Sequence, residues 1–448
     1  MTHPTLTTLG TAVAVILSGC AAISFAHPVE PRASLADTID AIIAAPPHDH
    51  AIWGIVVEDE NGRVLYEHHA HTLLMPASNR KLFASATAAE CLGLSRRLLT
   101  ELWLDGTQDG AELNGDVVLK GGGDPSLGGR YAFNRDDVFA PFIAALRARG
   151  IRKIRGDVVA DVSAFDRDTI PGSWKNGNLG SDYAAPVDAL AYNENVVGVV
   201  IRDADCRETM IETDPPFVPA TGHVTCAAGG EPIIRTTATN AVSVDGSLRT
   251  ADAASFEALV AAGDPALYAA QALADSLMRA GIVVTGATRV SAKPRAWRER
   301  LAVIEGPPLY DLLPIVLKNS QNLYAEMLLK SLSVSPSGPA SYGASLDIER
   351  AFLISEVGAG TNEFRFVDGS GLASDDLVTP AAIVKVLRWM NDPVRRGIFW
   401  SLLATPGEEG TLHHRLLDLA PRLRGKTGTI NGVNALSAIL LGRDGRYR

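Results

Sequence analysis

Basic residues are in deficit in this chain: 41 Lys and Arg stand against 51 Asp and Glu, a formal charge of −10. Neutralising nucleic-acid phosphates needs the opposite balance, so no nucleic-acid partner is expected. Aromatic residues are scarce at 6%, which removes base-stacking platforms as well. Four cysteines in 448 residues are too few for a disulfide scaffold, and none has metal-ligand spacing. Internal repeats and low-complexity blocks are missing, so fibrous and disordered classes drop out. What is present is the composition of a folded protein, 46% apolar and 21% charged, with length for about three domains.

The stretch from Leu6 to Ala26 carries no charged side chain and is followed by the polar, Pro-containing run His27 to Arg32. Residues 1–26 therefore read as an export signal, and the apolar run is barely long enough to span a membrane. Two cleavage chemistries fit. Leu17-Ser18-Gly19-Cys20 has the form of a lipobox, which predicts a membrane tether through a lipidated Cys20. Ser24-Phe25-Ala26 has the small-x-small form of ordinary signal-peptidase sites. Either way the mature protein is expected outside the cytoplasm, in the periplasm or cell envelope. There a Cys206–Cys226 bridge can persist, contributing about 3 kcal/mol. Cys91, in the apolar run Ala88 to Leu92, reads as a buried small hydrophobe.

Periodicity predicts a hairpin around Glu60-Asn61-Gly62-Arg63 and a helix from Ala77 to Leu92 stopped by Gly93. After Leu99 the texture changes. Strand-like pieces flank glycine turns, a helix spans Val138 to Arg149, and a strand spans Gly156 to Val162. Residues 195–244 read as short β segments without a helix. Ala266 to Arg279 is amphipathic and ends at Gly281. A long helical region follows from Leu309 to Leu332, interrupted at Pro314. The helix Pro380 to Met390 and the strand Asn434 to Leu441 come last.

Three short patterns carry chemistry, in this order: Ser78-Asn79-Arg80-Lys81 at a helix start, Ser320-Gln321-Asn322, and Lys426-Thr427-Gly428 followed by Thr429. At i, i+3 on a helix the Lys81 amine lies one turn from the Ser78 hydroxyl, within reach to serve as its base. A lysine becomes a base only when burial or a second cation lowers its pKa, and Lys426 is a candidate for that cation. Lys426, Thr427 and Thr429 suit a substrate carboxylate, Ser320 a proton transfer to a leaving amine, and Asn322 a substrate amide. Backbone N–H groups of Ser78 and Thr429 are the natural oxyanion donors. Singly these patterns mean little. Average composition yields Ser-x-x-Lys roughly twice in such a length, Ser-x-Asn about once and Lys-Thr-Gly about 0.1 times. Blander roles exist for each, as a helix cap, a solvated face or a turn, but the ordered trio leaves them little room.

The chain resembles the low-molecular-mass penicillin-binding proteins of the D-alanyl-D-alanine carboxypeptidase/endopeptidase family, the S13 serine peptidases. Besides the trio, the resemblance rests on Met75-Pro76-Ala77-Ser78, Lys120 to Pro125, Ala189 to Asn195, Asn322 to Glu326, Asp368 to Leu372 and Gly410-Thr411-Leu412. It implies an α/β (α+β) fold with a transpeptidase-like catalytic domain formed by residues 31–98 and 300–448. An α/β insertion at 99–299 would carry a nested β-rich subdomain near 195–250. It also implies a serine-type D-Ala-D-Ala carboxypeptidase or endopeptidase, acting on peptidoglycan stem peptides through a Ser78 acyl-enzyme. Catalytic Ser78, Lys81, Ser320, Asn322 and Lys426, with substrate-binding Thr427, Gly428 and Thr429, follow from it. So do covalent inhibition by β-lactams and the lack of any metal or cofactor.

Three further expectations come from the same resemblance. Similar proteins offer the substrate side chain a carboxylate from the insertion, and Asp161 at the end of the Gly156 to Val162 strand is the candidate. They often continue the Asp-Gly-Ser-Gly-Leu run with Ser-Arg, whereas here Ala373-Ser374-Asp375-Asp376 follows. The guanidinium position is thus Ser374, and Asp375 and Asp376 are expected to repel a free carboxylate. They also usually continue beyond the last strand with another strand and a helix, so either the sequence is a truncated one or an edge strand is missing beside the Lys426 strand. Two rival readings stand beside the peptidase: a serine β-lactamase or esterase on the same fold, and a non-catalytic wall-binding homologue. No dedicated water-activating base has a clear motif, which disfavours the first.

Overall fold

The computed structural model describes residues 34–132, 134–202, 209–249 and 255–443. The expected export signal, with Cys20, and the expected bridge partner Cys206 lie outside the described residues. Cys226 itself is disulfide-bonded.

The chain divides into two compact units between Ala51 and Ile52. In the first, the helix Leu35–Ile43 opens on a capping box, with Asp37 N donating to Ser34 Oγ and Ser34 N to Asp37 Oδ2, both at 3.1 Å.

The two largest hydrophobic cores among the described residues lie in the second unit. One is organised by the long strand Arg97–Asp109, buried at the two-residue period of a pleated strand, which gives Leu102 and Leu104 to this core and Leu98 to the other. It pairs antiparallel with Glu112–Gly121 on one side and with Glu299–Pro308 on the other. The short strand Val158–Asp161 adds in parallel beside Glu112–Gly121, with Thr288–Ser291 beyond it, within a seven-stranded sheet. The helix Pro265–Arg279 starts where Asp264 accepts from Leu267 N at 2.9 Å, with Pro265 at its first position. It lays Ala270, Leu273 and Leu277 into this core. Between residues 196 and 261 the described elements are strands, forming a three-stranded and a four-stranded sheet.

The other core is helical. Arg80–Cys91 is buried at every position from Arg80 to Ala88, because its Ala, Ser and Thr residues let neighbours approach on all sides. Leu309–Leu317, Asn322–Ser331, Tyr342–Ser355 and Pro380–Met390 surround it. The hairpin Leu423–Ile430 with Val433–Leu440 packs on the turn Ala77–Asn79 that precedes it.

Two expectations are corrected. The helical region after Leu309 is not interrupted at Pro314, which lies inside Leu309–Leu317. The break falls at residues 318–321, where Ser320 takes a left-handed φ of 64°. Cys91 is exposed rather than buried, since full burial of its helix stops at Ala88, one turn before the end.

Candidate active site

Ser78 sits in the single 3-10 turn Ala77–Asn79, directly ahead of the Arg80–Cys91 helix. Ala77 has φ 46°, which turns the chain sharply into the helix. Two glycines allow neighbouring loops to close on this turn. A Cβ on Gly371, itself at φ 81°, would lie 1.9 Å from Ala77 O, and one on Gly428 would lie 2.9 Å from Ser78 N. The strand carrying Lys426 therefore runs against the backbone of Ser78.

Lys81 is fully buried and its ammonium has three acceptors: Ser78 Oγ at 3.0 Å, Asn322 Oδ1 at 2.6 Å and Ser370 O at 2.8 Å. Burial drives its pKa from 10.5 down to about 7, with Asp368 and Glu326 pulling in the opposite direction. Lys426, also buried, donates to Ser320 Oγ at 2.8 Å and to Thr427 O at 2.5 Å. Burial, and then the charge of Lys81, hold its pKa well below the ordinary lysine value. Asn322 completes its own set by donating from Nδ2 to Tyr183 O at 2.7 Å.

Residues from three distant stretches thus meet: Ser78, Lys81 and Asn322 are directly bonded, and Ser320 is bonded to Lys426. Thr427 is buried and Thr429 is exposed, its hydroxyl 3.3 Å from Asn434 Oδ1. A hydroxyl beside an amine of depressed pKa can be deprotonated near neutrality. A second lysine–serine pair next to it can deliver a proton and hold an anion. Among the described residues no group of side chains is arranged to hold a metal ion.

Asp161 is not brought to this cluster. It is fully buried in the sheet core, with Oδ2 accepting from Trp297 Nε1 at 2.5 Å and Oδ1 from Ser163 N at 2.9 Å. A carboxylate committed in this way offers nothing to a substrate, so its expected role is withdrawn. Asp376 is corrected too. It is buried, accepts from Val367 N at 2.7 Å, and is raised far above the carboxylate range by burial and by Asp368. Burial thus withholds Asp376 from direct contact with a ligand; Ser374 is half-buried and Asp375 exposed.

Sequence reasoning assigned no role to the carboxylates behind Lys81. Glu326 accepts from Gly369 N and Ser370 N, both at 2.8 Å, so its two oxygens fix the loop whose Ser370 carbonyl receives Lys81. Asp368 accepts from Gly371 N at 2.7 Å, Ala373 N at 2.8 Å and Trp174 Nε1 at 2.9 Å. The signal for Glu326 was its position one helical turn after Asn322. Beside the Ser78 turn, Arg80 forms a buried two-pronged pair with Glu349 at 2.7 and 2.5 Å and stacks 4.0 Å over Phe366.

Comparison with known proteins gives a consistent picture. The pattern of the D-Ala-D-Ala carboxypeptidase 3 (S13) family matches residues 35–448. The D-alanyl-D-alanine carboxypeptidase of Actinomadura sp. (strain R39) is 32% identical over 438 residues, covering 92% of this chain and 79% of that protein. The D-alanyl-D-alanine carboxypeptidase DacB of Haemophilus influenzae is 24% identical over 434 residues, covering 93% and 87%. In structure the chain is similar to penicillin binding protein 4 (dacB) from Haemophilus influenzae. The TM-score is 0.79 and the identity 24%, with 88% of each chain covered. That likeness bears out the mixed helix-and-sheet class expected from the sequence.

Proposed function

We propose, for a chain that belongs to the D-Ala-D-Ala carboxypeptidase 3 (S13) family, a serine-peptidase mechanism carried by Ser78 and Lys81. The protein is a serine-type D-Ala-D-Ala carboxypeptidase/endopeptidase of peptidoglycan stem peptides. The observation that carries the mechanism is the Lys81 amine 3.0 Å from Ser78 Oγ with its pKa brought to about 7. Neutral Lys81 takes the hydroxyl proton as Ser78 Oγ bonds to the carbonyl carbon of the penultimate D-Ala. The oxyanion is received by the N–H groups of Ser78 and Thr429, a reading supported by the close approach of Gly428, the residue before Thr429, to Ser78 N. The C–N bond then breaks as Ser320, linked to Lys426, passes a proton to the leaving D-alanine amine. The proton that Lys81 took from Ser78 then restores the Ser320 hydroxyl and leaves Lys81 neutral. Water adds to the acyl carbonyl while giving a proton to Lys81. The C–O bond to Ser78 breaks as Lys81 returns that proton to Ser78 Oγ and the shortened peptide leaves.

Lys426, Thr427 and Thr429 would hold the terminal carboxylate, and Asn322 the substrate amide. The same chemistry opens D-Ala–diaminopimelate cross-links, and a strained β-lactam amide would acylate Ser78 without leaving. Residues 99–299 would form the insertion and the flanking segments the catalytic domain, in keeping with the two cores. The apolar start of the chain supports export to the periplasm or envelope, by ordinary cleavage or through a lipidated Cys20. Among the described residues no helix is long and apolar enough to cross a membrane.

The test pairs fluorescent-penicillin labelling with mass spectrometry of purified muropeptides. Wild-type protein should label and release D-alanine or split cross-linked dimers, whereas Ser78→Ala should do neither while unfolding at the wild-type temperature. Labelling that persists in Ser78→Ala overturns the assignment of the nucleophile.

A further inference from the structure

Glu194 has no part in the steps above, yet its setting is costly. Asn193, Glu194 and Asn195 follow one another with φ of 48°, 55° and 56°. Asn enters this left-handed region readily but Glu does not, so the strained residue is Glu194, and such strain concentrates at functional sites. The constraint is visible on both flanks. Asn193 N donates to Leu127 O at 2.7 Å, Asn195 Nδ2 to Pro186 O at 2.8 Å, and Ala262 N to Asn195 O at 2.8 Å. So held, the Glu194 carboxylate receives Arg130 Nε on Oε1 and Gln321 Nε2 on Oε2.

Gln321 is the middle residue of Ser320-Gln321-Asn322. Its Oε1 accepts from Leu323 N at 3.0 Å and caps the helix that begins at Asn322. Both ends of its amide are therefore engaged, one by its own helix and one by Glu194. On either side of it stand the hydroxyl that meets Lys426 and the amide that meets Lys81. The preceding residue, Ser320, is itself left-handed, so its direction depends on what holds its neighbours.

We propose that Arg130, Glu194 and Gln321 form a positioning relay by which the 99–299 region sets the orientation of Ser320 and Asn322 toward the two lysines. The relay rests on the reading of Ser320 and Asn322 as reacting groups. It lies at the wall of a cavity of about 300 Å³ lined by Leu127, Gly128, Arg130, Glu194 and Tyr324 among others. The Glu194 side chain is 19% exposed, so trimming it opens space to water rather than leaving a sealed void in a core. Loss of packing is thus separable from loss of orientation.

The experiment measures the acylation rate by a fluorescent penicillin, kcat and KM on a D-Ala-D-Ala peptide, and the unfolding midpoint. The variants are Glu194→Ala, Glu194→Gln, Gln321→Ala, the Glu194→Ala/Gln321→Ala double variant and, as the reference for the motif, Ser320→Ala. Misplacement by an ångström or less predicts about a ten- to hundredfold fall in kcat and acylation for Glu194→Ala, with KM nearly constant and the midpoint little moved. Glu194→Gln keeps an acceptor for Gln321 and should recover much of the rate. The double variant should be no slower than the worse single one, because both cut the same link. Unchanged acylation in Glu194→Ala, additive losses in the double variant, or losses that only track the midpoint would overturn the relay while Ser320→Ala remains impaired. An unimpaired Ser320→Ala would instead overturn the motif reading and the relay with it.

Discussion

In the proposed mechanism Lys81 serves two opposed states: a cation that holds Asn322 and Ser370 in place, and a neutral base that accepts the Ser78 proton. Burial favours the neutral form, while Asp368 and Glu326 favour the charged one, and the balance falls at about 7. Because only the neutral amine can take a proton, acylation by penicillin should rise roughly tenfold per pH unit below that point and level off above it. Stopped-flow acylation rates from pH 5 to 9 check this, and a rate flat across pH 6 to 8 would remove Lys81 as the titrating base. Lys426 differs in task. Lys426→Ala should lower kcat/KM on a peptide with a free terminal carboxylate by roughly ten- to a hundredfold, the ~1.5–3 kcal/mol of a lost charge-assisted bond. The same peptide with an amidated terminus should lose less, and equal losses on both would assign Lys426 to proton transfer alone.

The Arg80–Cys91 helix is the element on which the site is built, and its first residue ties it down. Arg80 is fully buried against Glu349 of the Tyr342–Ser355 helix. Removing one partner strands the other charge, so Glu349→Ala should cost about 3–5 kcal/mol. Urea denaturation checks that, and an unchanged midpoint would show that water or another group compensates Arg80. Elements of this kind were legible where the pattern is local. The Ser78–Lys81 spacing, the Gly281 stop after the Pro265–Arg279 helix and the Asn61-Gly62 turn all lie within a few residues. What could not be read is set by tertiary packing. Pro314 looked like a break but sits inside a continuous helix, whereas the actual break at Ser320 is held from outside by Lys426 and, through Gln321, by Glu194. Asp161 looked available at a strand end, yet Trp297, 136 residues away, occupies it.

Across the whole molecule, the ordered trio announced the family while the buried carboxylates stayed silent, since burial has no short-range signature. Asp124 is the clearest case. Its Oδ1 accepts from Ser126 N at 2.9 Å and Ser126 Oγ at 2.6 Å, while Oδ2 is buried without a protein partner. Gly306 closes over it so tightly that a Cβ there would lie 2.7 Å from Oδ2. Burial accordingly raises the carboxyl from 3.8 to about 6. The folded state then retains a proton that the unfolded chain has already lost between those values, so stability must fall as pH rises through that window and stay reduced above it. From pH 5 to pH 8 about one unit of that difference is crossed, a loss of about 1.4 kcal/mol from this group. Asp188, raised to about 7 chiefly by burial, acts with the same sign. Asp124→Asn keeps the acceptor for Ser126 and removes the titration. Its unfolding free energy should therefore drop less than that of the wild type between pH 5 and pH 8, by roughly that ~1.4 kcal/mol, whatever the variant's absolute stability. Urea curves of both proteins at the two pH values decide the matter: identical differences would mean that Asp124 is already ionised at pH 5 and that its burial is relieved by water.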